Sequence, residues 1–362
     1  MPEIWLNYGQ NEVVLDIQAE NLNEKTPQEN PTLEESKINE KLDGFDLSKP
    51  IEIAILNYTD SVQKILTKIF QKCEENSFSN PKLLVDKKTM SLVKANNPEN
   101  ILINEFDDDE LSNSNLTFMA EMEFDGLFGF ETISTRLLRQ FGKPDMLDAF
   151  KKRNGDLPIP GKVGSNMQVA EKFVDNFEIS SIEIISNSNG ISDFSIGHPK
   201  NTESLSQSFA NSSIKTLEHQ RTMIVSTGKT ASNKTLNGSL RSIWNCHSVV
   251  KNQGFVILLA ECLNGIGSDA FQQFIDGRLT IERVKNASKY IDGMENLLYL
   301  SEIQKKFQVG LVSILPEIYL KKLDIVHIGG VKKSMDYILK NLGQRQKVEV
   351  VDDGARILLH EK

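Results

Sequence analysis

The apolar positions of this chain switch repeatedly between a two-residue and a 3.6-residue period. Residues 4–6 and 13–17, separated by the polar stretch 7–11, predict an opening hairpin. Residues 18–50 are rich in Glu, Asn and Pro with few apolar anchors, which predicts a surface excursion holding one short helix. Residues 51–56 (IEIAIL) then read as a buried strand, and Val62, Ile65, Leu66 and Ile69 mark one face of a helix over 61–72. Further strands are expected at 82–85 and 101–104, and helices at 131–141 and 145–153. The Gly- and Pro-rich stretch 154–165 must be a loop, 179–185 and 191–196 form a second hairpin around residues 186–190, and a helix over 200–218 follows.

From there the alternation is regular: a strand at 222–226, a helix over 234–250, and the continuous apolar run 255–260 (FVILLA) that a strand buried on both faces requires. Helices within 269–305, strands at 309–314 and 324–328, a helix over 331–342 and a strand at 348–351 complete it. Strand-helix alternation of this kind implies a doubly wound parallel sheet. The expected fold is therefore α/β in two domains: a mixed N-terminal domain over 1–217 and a C-terminal doubly wound parallel-sheet domain over 218–362, with a cleft between them. Trp244 and Leu240 are expected to face the C-terminal sheet.

Composition narrows the function classes. The chain has 362 residues and a formal charge of −9, with 39% hydrophobic residues. The acidic balance argues against a nucleic-acid partner, and the basic clusters Lys151-Lys152-Arg153, Lys321-Lys322 and Lys332-Lys333 read as solvated faces. No run is long and apolar enough for a membrane span, and the N-terminus lacks the pattern of a signal peptide. Three scattered cysteines, Cys73, Cys246 and Cys262, fit reduced thiols and a cytoplasmic location. The acid run Asp107–Glu110 reads as a solvated loop, because consecutive residues point in different directions.

Open α/β sheets bind ligands beyond the C-terminal ends of their strands. Three loops lie there: Asn57-Tyr58-Thr59-Asp60, Thr227-Gly228-Lys229-Thr230, and Asn264 to Ser268, where Ser268 is placed to cap the next helix and leave amides free for an anion. Each also has a plain reading. Thr59 and Asp60 suit a turn and helix cap. Met223 occupies the place of the first P-loop glycine, and Gly265-x-Gly267 lacks the third glycine of a dinucleotide fingerprint. The histidines (His198, His219, His247, His327, His360) are all late and none pairs with another at metal-ligand spacing. His198, before Pro199, reads as a turn residue.

Taken in order, several segments resemble the nickel-dependent lactate racemases. They are Leu6-Asn7-Tyr8-Gly9 with Val14-Leu15-Asp16-Ile17, then Gly126-Leu127-Phe128-Gly129-Phe130-Glu131-Thr132-Ile133, then Val225-Ser226-Thr227-Gly228 with Gly265-Ile266-Gly267, and the ending Val350-Val351-Asp352-Asp353-Gly354. The resemblance implies a nickel-pincer nucleotide tethered to a lysine, and 2-hydroxy-acid racemisation by hydride removal and return with histidines moving protons. It also implies where those residues should stand, and there this chain departs. The tethering lysine falls on Glu121 and the metal-binding histidine on Leu137. The family's G-x-H-R reads Asp86-Lys87-Lys88-Thr89, its D-x-T-R loop reads Asn57-Tyr58-Thr59-Asp60, and a substrate-binding lysine falls near Arg241. No histidine precedes His198, so the imidazole that ligates nickel and shuttles protons is missing from the N-terminal half.

The expectation is a racemase-like protein without the pincer cofactor or metal. It would bind or regulate through a small anionic metabolite, held at the cleft by Lys229 and Arg241, with Thr59, Asp60, Lys88, Glu121 and Ser268 as further ligand-binding candidates. Its protein partner would be a second copy or an active paralogue. The alternative is an active 2-hydroxy-acid racemase, epimerase or other isomerase with a relocated site.

Overall fold

The computed structural model describes residues 3–9, 11–26, 31–106 and 116–362, so the acid run at 107–110 lies outside the described residues. Two six-stranded sheets organise them. The first runs, edge to edge, Gly190–Gly197, Ser180–Asn187, Leu116–Glu121, Glu52–Ile55, Lys82–Val85, Ile103–Glu105. It is parallel throughout except for the Ser180–Asn187 and Gly190–Gly197 hairpin. The second runs Val326–His327, Gln308–Val312, Val250–Leu259, Gln220–Ser226, Val348–Val351, Leu22–Thr26, and is wholly parallel.

The inner strands of each sheet are covered on both faces, which is why runs such as Leu116–Glu121 and the end of Val250–Leu259 are nearly unbroken apolar stretches. In the second sheet Met223 and Val225 face one core with Leu240, Ile243 and Trp244 of the helix Leu236–Cys246, whereas Ile224 faces another. That second core is closed by Met335 and Ile338 of the helix Val331–Leu342 and by Leu6 and Leu15 of the opening hairpin. Trp244 and Leu240 therefore pack on the sheet as expected. In the first sheet Ile53 and Ile55 pack against the helix Asp60–Glu75, and Ala54 packs on Ile133 and Leu137 of the helix Ile133–Phe141.

The differences from expectation have local causes. The helix expected over 200–218 spans Glu203–Ser213, and Ile214–Leu217 is instead a strand paired with Leu358–Glu361. Leu22–Thr26 is an added edge strand of the second sheet, so the first residues of the chain complete the C-terminal sheet. Leu116–Glu121, which the periodicity did not single out, is a central strand with every residue buried. The helix Met167–Val174 and the short pair Glu123–Asp125 with Gly129–Glu131 are likewise additional.

Candidate functional site

Strand order reverses once in each sheet. In the first, the chain builds outward in both directions from Glu52–Ile55, which puts the topological switch between that strand and Leu116–Glu121. In the second, the switch lies between Gln220–Ser226 and Val348–Val351. Such points open a crevice at the strand ends that ligands commonly fill. Here protein groups fill both.

At the first switch, Asn57 closes the gap by donating to the Glu121 carbonyl at 3.0 Å and accepting from its N–H at 2.8 Å. At the second, the Gly354 N–H donates to Ser226 O at 2.7 Å. Gly228 sits at φ +70°, where an added Cβ would fall 2.4 Å from Asp353 Oδ1, so glycine is what allows Asp353 to approach. Arg356 joins the two switches, with Nη2 2.8 Å from Glu121 Oε1 and Nη1 3.3 Å from Asp353 Oδ2. Glu121 also accepts from Ser186.

This is one end of a larger buried seam. Among the described residues it brings together four arginines, Arg136, Arg139, Arg241 and Arg356, with six carboxylates, Glu121, Glu123, Asp125, Glu131, Glu295 and Asp353. Arg136 and Arg139 stand three apart on the helix Ile133–Phe141 and so share a face. Glu123 and Asp125 share one side of a short strand because its side chains alternate. Arg136 lies 2.8 Å from Glu123, and Arg139 lies 2.9 Å from Asp125 and 3.3 Å from Glu131 and also pairs with Glu295. Arg241, from the other half of the molecule, lies 3.0 Å from Glu123 and pairs with Glu131.

Burial alone would push the Glu123 carboxyl up, but the guanidiniums of Arg241 and Arg136 more than offset it and hold it below the ordinary carboxylate range. Asp125 behaves the same way under Arg139 and Arg241. The Asp353 carboxyl moves in the other direction: burial dominates and raises it despite Arg356. Glu183 stands behind the helix Ile133–Phe141 with no exposed surface, accepting from the Ile133 N–H at 2.8 Å, and burial pushes it up to about 8.

The seven expected site residues are dispersed. Glu121 and Arg241 belong to the seam, and each is committed to a protein partner. Arg241 is only 15% exposed, so it does not snorkel to solvent. Thr59 is a helix cap, accepting from Val62 N at 3.3 Å, and Asp60 is exposed in that first turn. Lys88 is exposed on a turn tied by Asp86, whose Oδ1 accepts from the Lys88 N–H at 2.8 Å. Lys229 is exposed too, 3.8 Å from Glu12. Ser268 caps Phe271 N at 3.4 Å and donates to Asp292 O at 2.7 Å; the Ala270 and Gln272 amides are also bonded, so the anion seat expected there is occupied by the chain itself. The loop 264–268 rests on the start of the helix Leu236–Cys246 through Gly265 O and Ile266 O. Among the described residues, the cavities around Asp145 and Phe173, Gln273 and Met294, Tyr8 and Lys333, and Leu157 and His360 are lined by none of the three expected loops.

What the sequence reading missed is the rest of the seam: Arg136, Arg139, Glu123, Asp125, Glu131, Glu295, Asp353 and Arg356. A signal existed, since charges at i, i+2 in a short strand and at i, i+3 beside Leu137 and Leu138 in a helix must be paired if buried. His198 is a turn residue as expected, its Nε2 3.4 Å from Phe177 O.

No family model and no curated relative matches this sequence. Solved structures do match it in shape. The lactate racemase apoprotein from Thermoanaerobacterium thermosaccharolyticum superposes with a TM-score of 0.72 at 15% identity, covering 99% of this chain and 100% of that one. A protein from Thermotoga maritima superposes with a TM-score of 0.64 at 11% identity, covering 91% and 99%. At these identities the likeness is one of fold.

Proposed function

We propose that this chain is a lactate-racemase-like scaffold that has given up nickel-pincer chemistry and serves as a non-catalytic binding or regulatory protein for a small anionic metabolite. The observation that carries this reading is the seam: the groups that stand at the two switch points pair with one another. A substrate carboxylate arriving at Arg241 would have to displace two carboxylates that already share that guanidinium. Displacement strips one of two guanidiniums from each of these buried carboxylates, Glu123 keeping Arg136 and Glu131 keeping Arg139, and weakening buried ion pairs in this way is costly.

The donor set supports the same reading. Where the resemblance places a tethering amine, Glu121 offers a carboxylate bound to Arg356 and Ser186. Where it places a metal-binding imidazole, Leu137 lies fully buried beside Ala54, Leu84 and Phe118. Among the described residues no three His, Cys, Asp or Glu side chains come together as a metal site. These residues do not fit the cofactor. Protein made in cells that synthesise the pincer nucleotide should leave single enantiomers of lactate and longer 2-hydroxy acids unchanged in a chiral assay. Interconversion above the buffer control would overturn the reading.

A further inference from the structure

One cavity combines an apolar wall with a basic rim, away from the seam. It lies beyond the C-terminal ends of the strands Gln308–Val312 and Val326–His327, and its volume is about 710 Å³, within the range of small-molecule sites. Tyr8, Val14, Val312 and Val331 contribute the apolar lining. Lys332 and Lys333 contribute the charge, with the His327 imidazole beside them, and no acidic residue lines it. In a chain of net charge −9 this is the exception that asks for a reason. Neither lysine takes part in an ion pair among the described residues, and His327 lies 4.0 Å from Glu317, at the limit of pairing. The Lys332-Lys333 pair, expected as a plain solvated face, is thus exposed but placed at the mouth of a cavity. The seam's cations, by contrast, are all spent on carboxylates of the chain.

We propose that this cavity is the ligand site and that it takes an organic anion with an apolar body, its carboxylate or phosphate held by Lys332 and Lys333 while the body lies against Tyr8 and the valines. Unpaired cations at a concave mouth raise the local concentration of anions and add charge-assisted hydrogen bonds once these are bound. The proposal deepens the reading above by giving the anionic metabolite a place and a shape. It fails independently, since loss of this site would leave the racemisation result untouched.

The test uses the full chain and isothermal titration with four probes: 4-phenylbutyrate, 3-phenylpropyl phosphate, the neutral 4-phenylbutanol and inorganic phosphate. Both amphiphilic anions should bind at least about tenfold more tightly than the alcohol or inorganic phosphate, and their relative affinity says which headgroup is preferred. Binding should weaken as salt is raised, because the rim is exposed. Lys332→Ala/Lys333→Ala, at exposed positions, should weaken both anions about tenfold or more and leave the alcohol unchanged. The proposal is overturned if the alcohol binds as well as the anions, if the double variant binds them as the wild type does, or if neither anion binds at about 10 mM.

Discussion

Replacing Arg241 by methionine keeps the aliphatic stem and removes one of the four seam cations. The structure sets the size of the effect. Arg241 has two carboxylate partners, but each keeps another arginine: Glu123 still has Arg136 at 2.8 Å and Glu131 still has Arg139 at 3.3 Å. The loss should fall at the low end for a broken buried ion pair, about 3 kcal/mol. Arg139→Met is different. It serves Asp125 at 2.9 Å, Glu131 at 3.3 Å and Glu295, and among the described residues neither Asp125 nor Glu295 makes a direct ion pair with a second guanidinium. That loss should reach the upper end, about 5 kcal/mol. At roughly 1.3 °C per kcal/mol for a chain of this size, the expected falls in Tm are about 4 °C and about 7 °C. Thermal unfolding at pH 7 measures both, and an Arg241→Met/Glu131→Gln double variant should recover part of the loss, because the pair is coupled. The reasoning is refuted if Arg241→Met costs as much as Arg139→Met, or if both lie within about 1 kcal/mol of wild type.

Three further outcomes follow. Glu183 has a folded-state pKa of about 8 against an ordinary 4.5, so the stability it lends is full below the lower value and is lost as pH rises through the higher; Glu183→Gln should flatten the fall in Tm between pH 5 and 8 relative to wild type, and equal slopes would contradict the assignment. Glu121→Lys, which restores the amine the resemblance expects, should instead set two cations against each other at Arg356 and destabilise by about 4 kcal/mol; a stable variant would show the position to be permissive. Burial pushes the Cys246 thiol up to about 12 and Cys262 to about 11, and Cys73 is raised by the same cause, so iodoacetamide at pH 8 should label none of the three in the native protein and all three after denaturation.

The C-terminal sheet was legible because strands buried on both faces must be continuously apolar, as in the run ending at Leu259. Leu22–Thr26 was not, because an edge strand exposing Asn23, Glu24 and Lys25 carries no apolar period to read. Leu116–Glu121 has the apolar run but ends on Glu121, a charge that local patterning assigns to a surface and that Ser186 and above all Arg356, 235 positions later, make tolerable. The same distance hid the seam. Arg241 was recognised as a basic group at the right place, but its partners Glu123 and Glu131 come from a segment over a hundred positions earlier. Helix phase left its direction open, and long-range pairing decided it. The helix caps at Thr59 and Ser268 were readable because a cap is completed within three residues.

The central claim, that the crevices of this lactate-racemase-like fold are filled by the protein's own ion pairs and hold no pincer cofactor, is tested most directly by intact mass together with nickel analysis. The protein should be purified from its native host, where any cofactor would be supplied. The account predicts the mass of the unmodified chain and no stoichiometric nickel. A mass increased by a covalently tethered nucleotide, with nickel approaching one per chain, would contradict it.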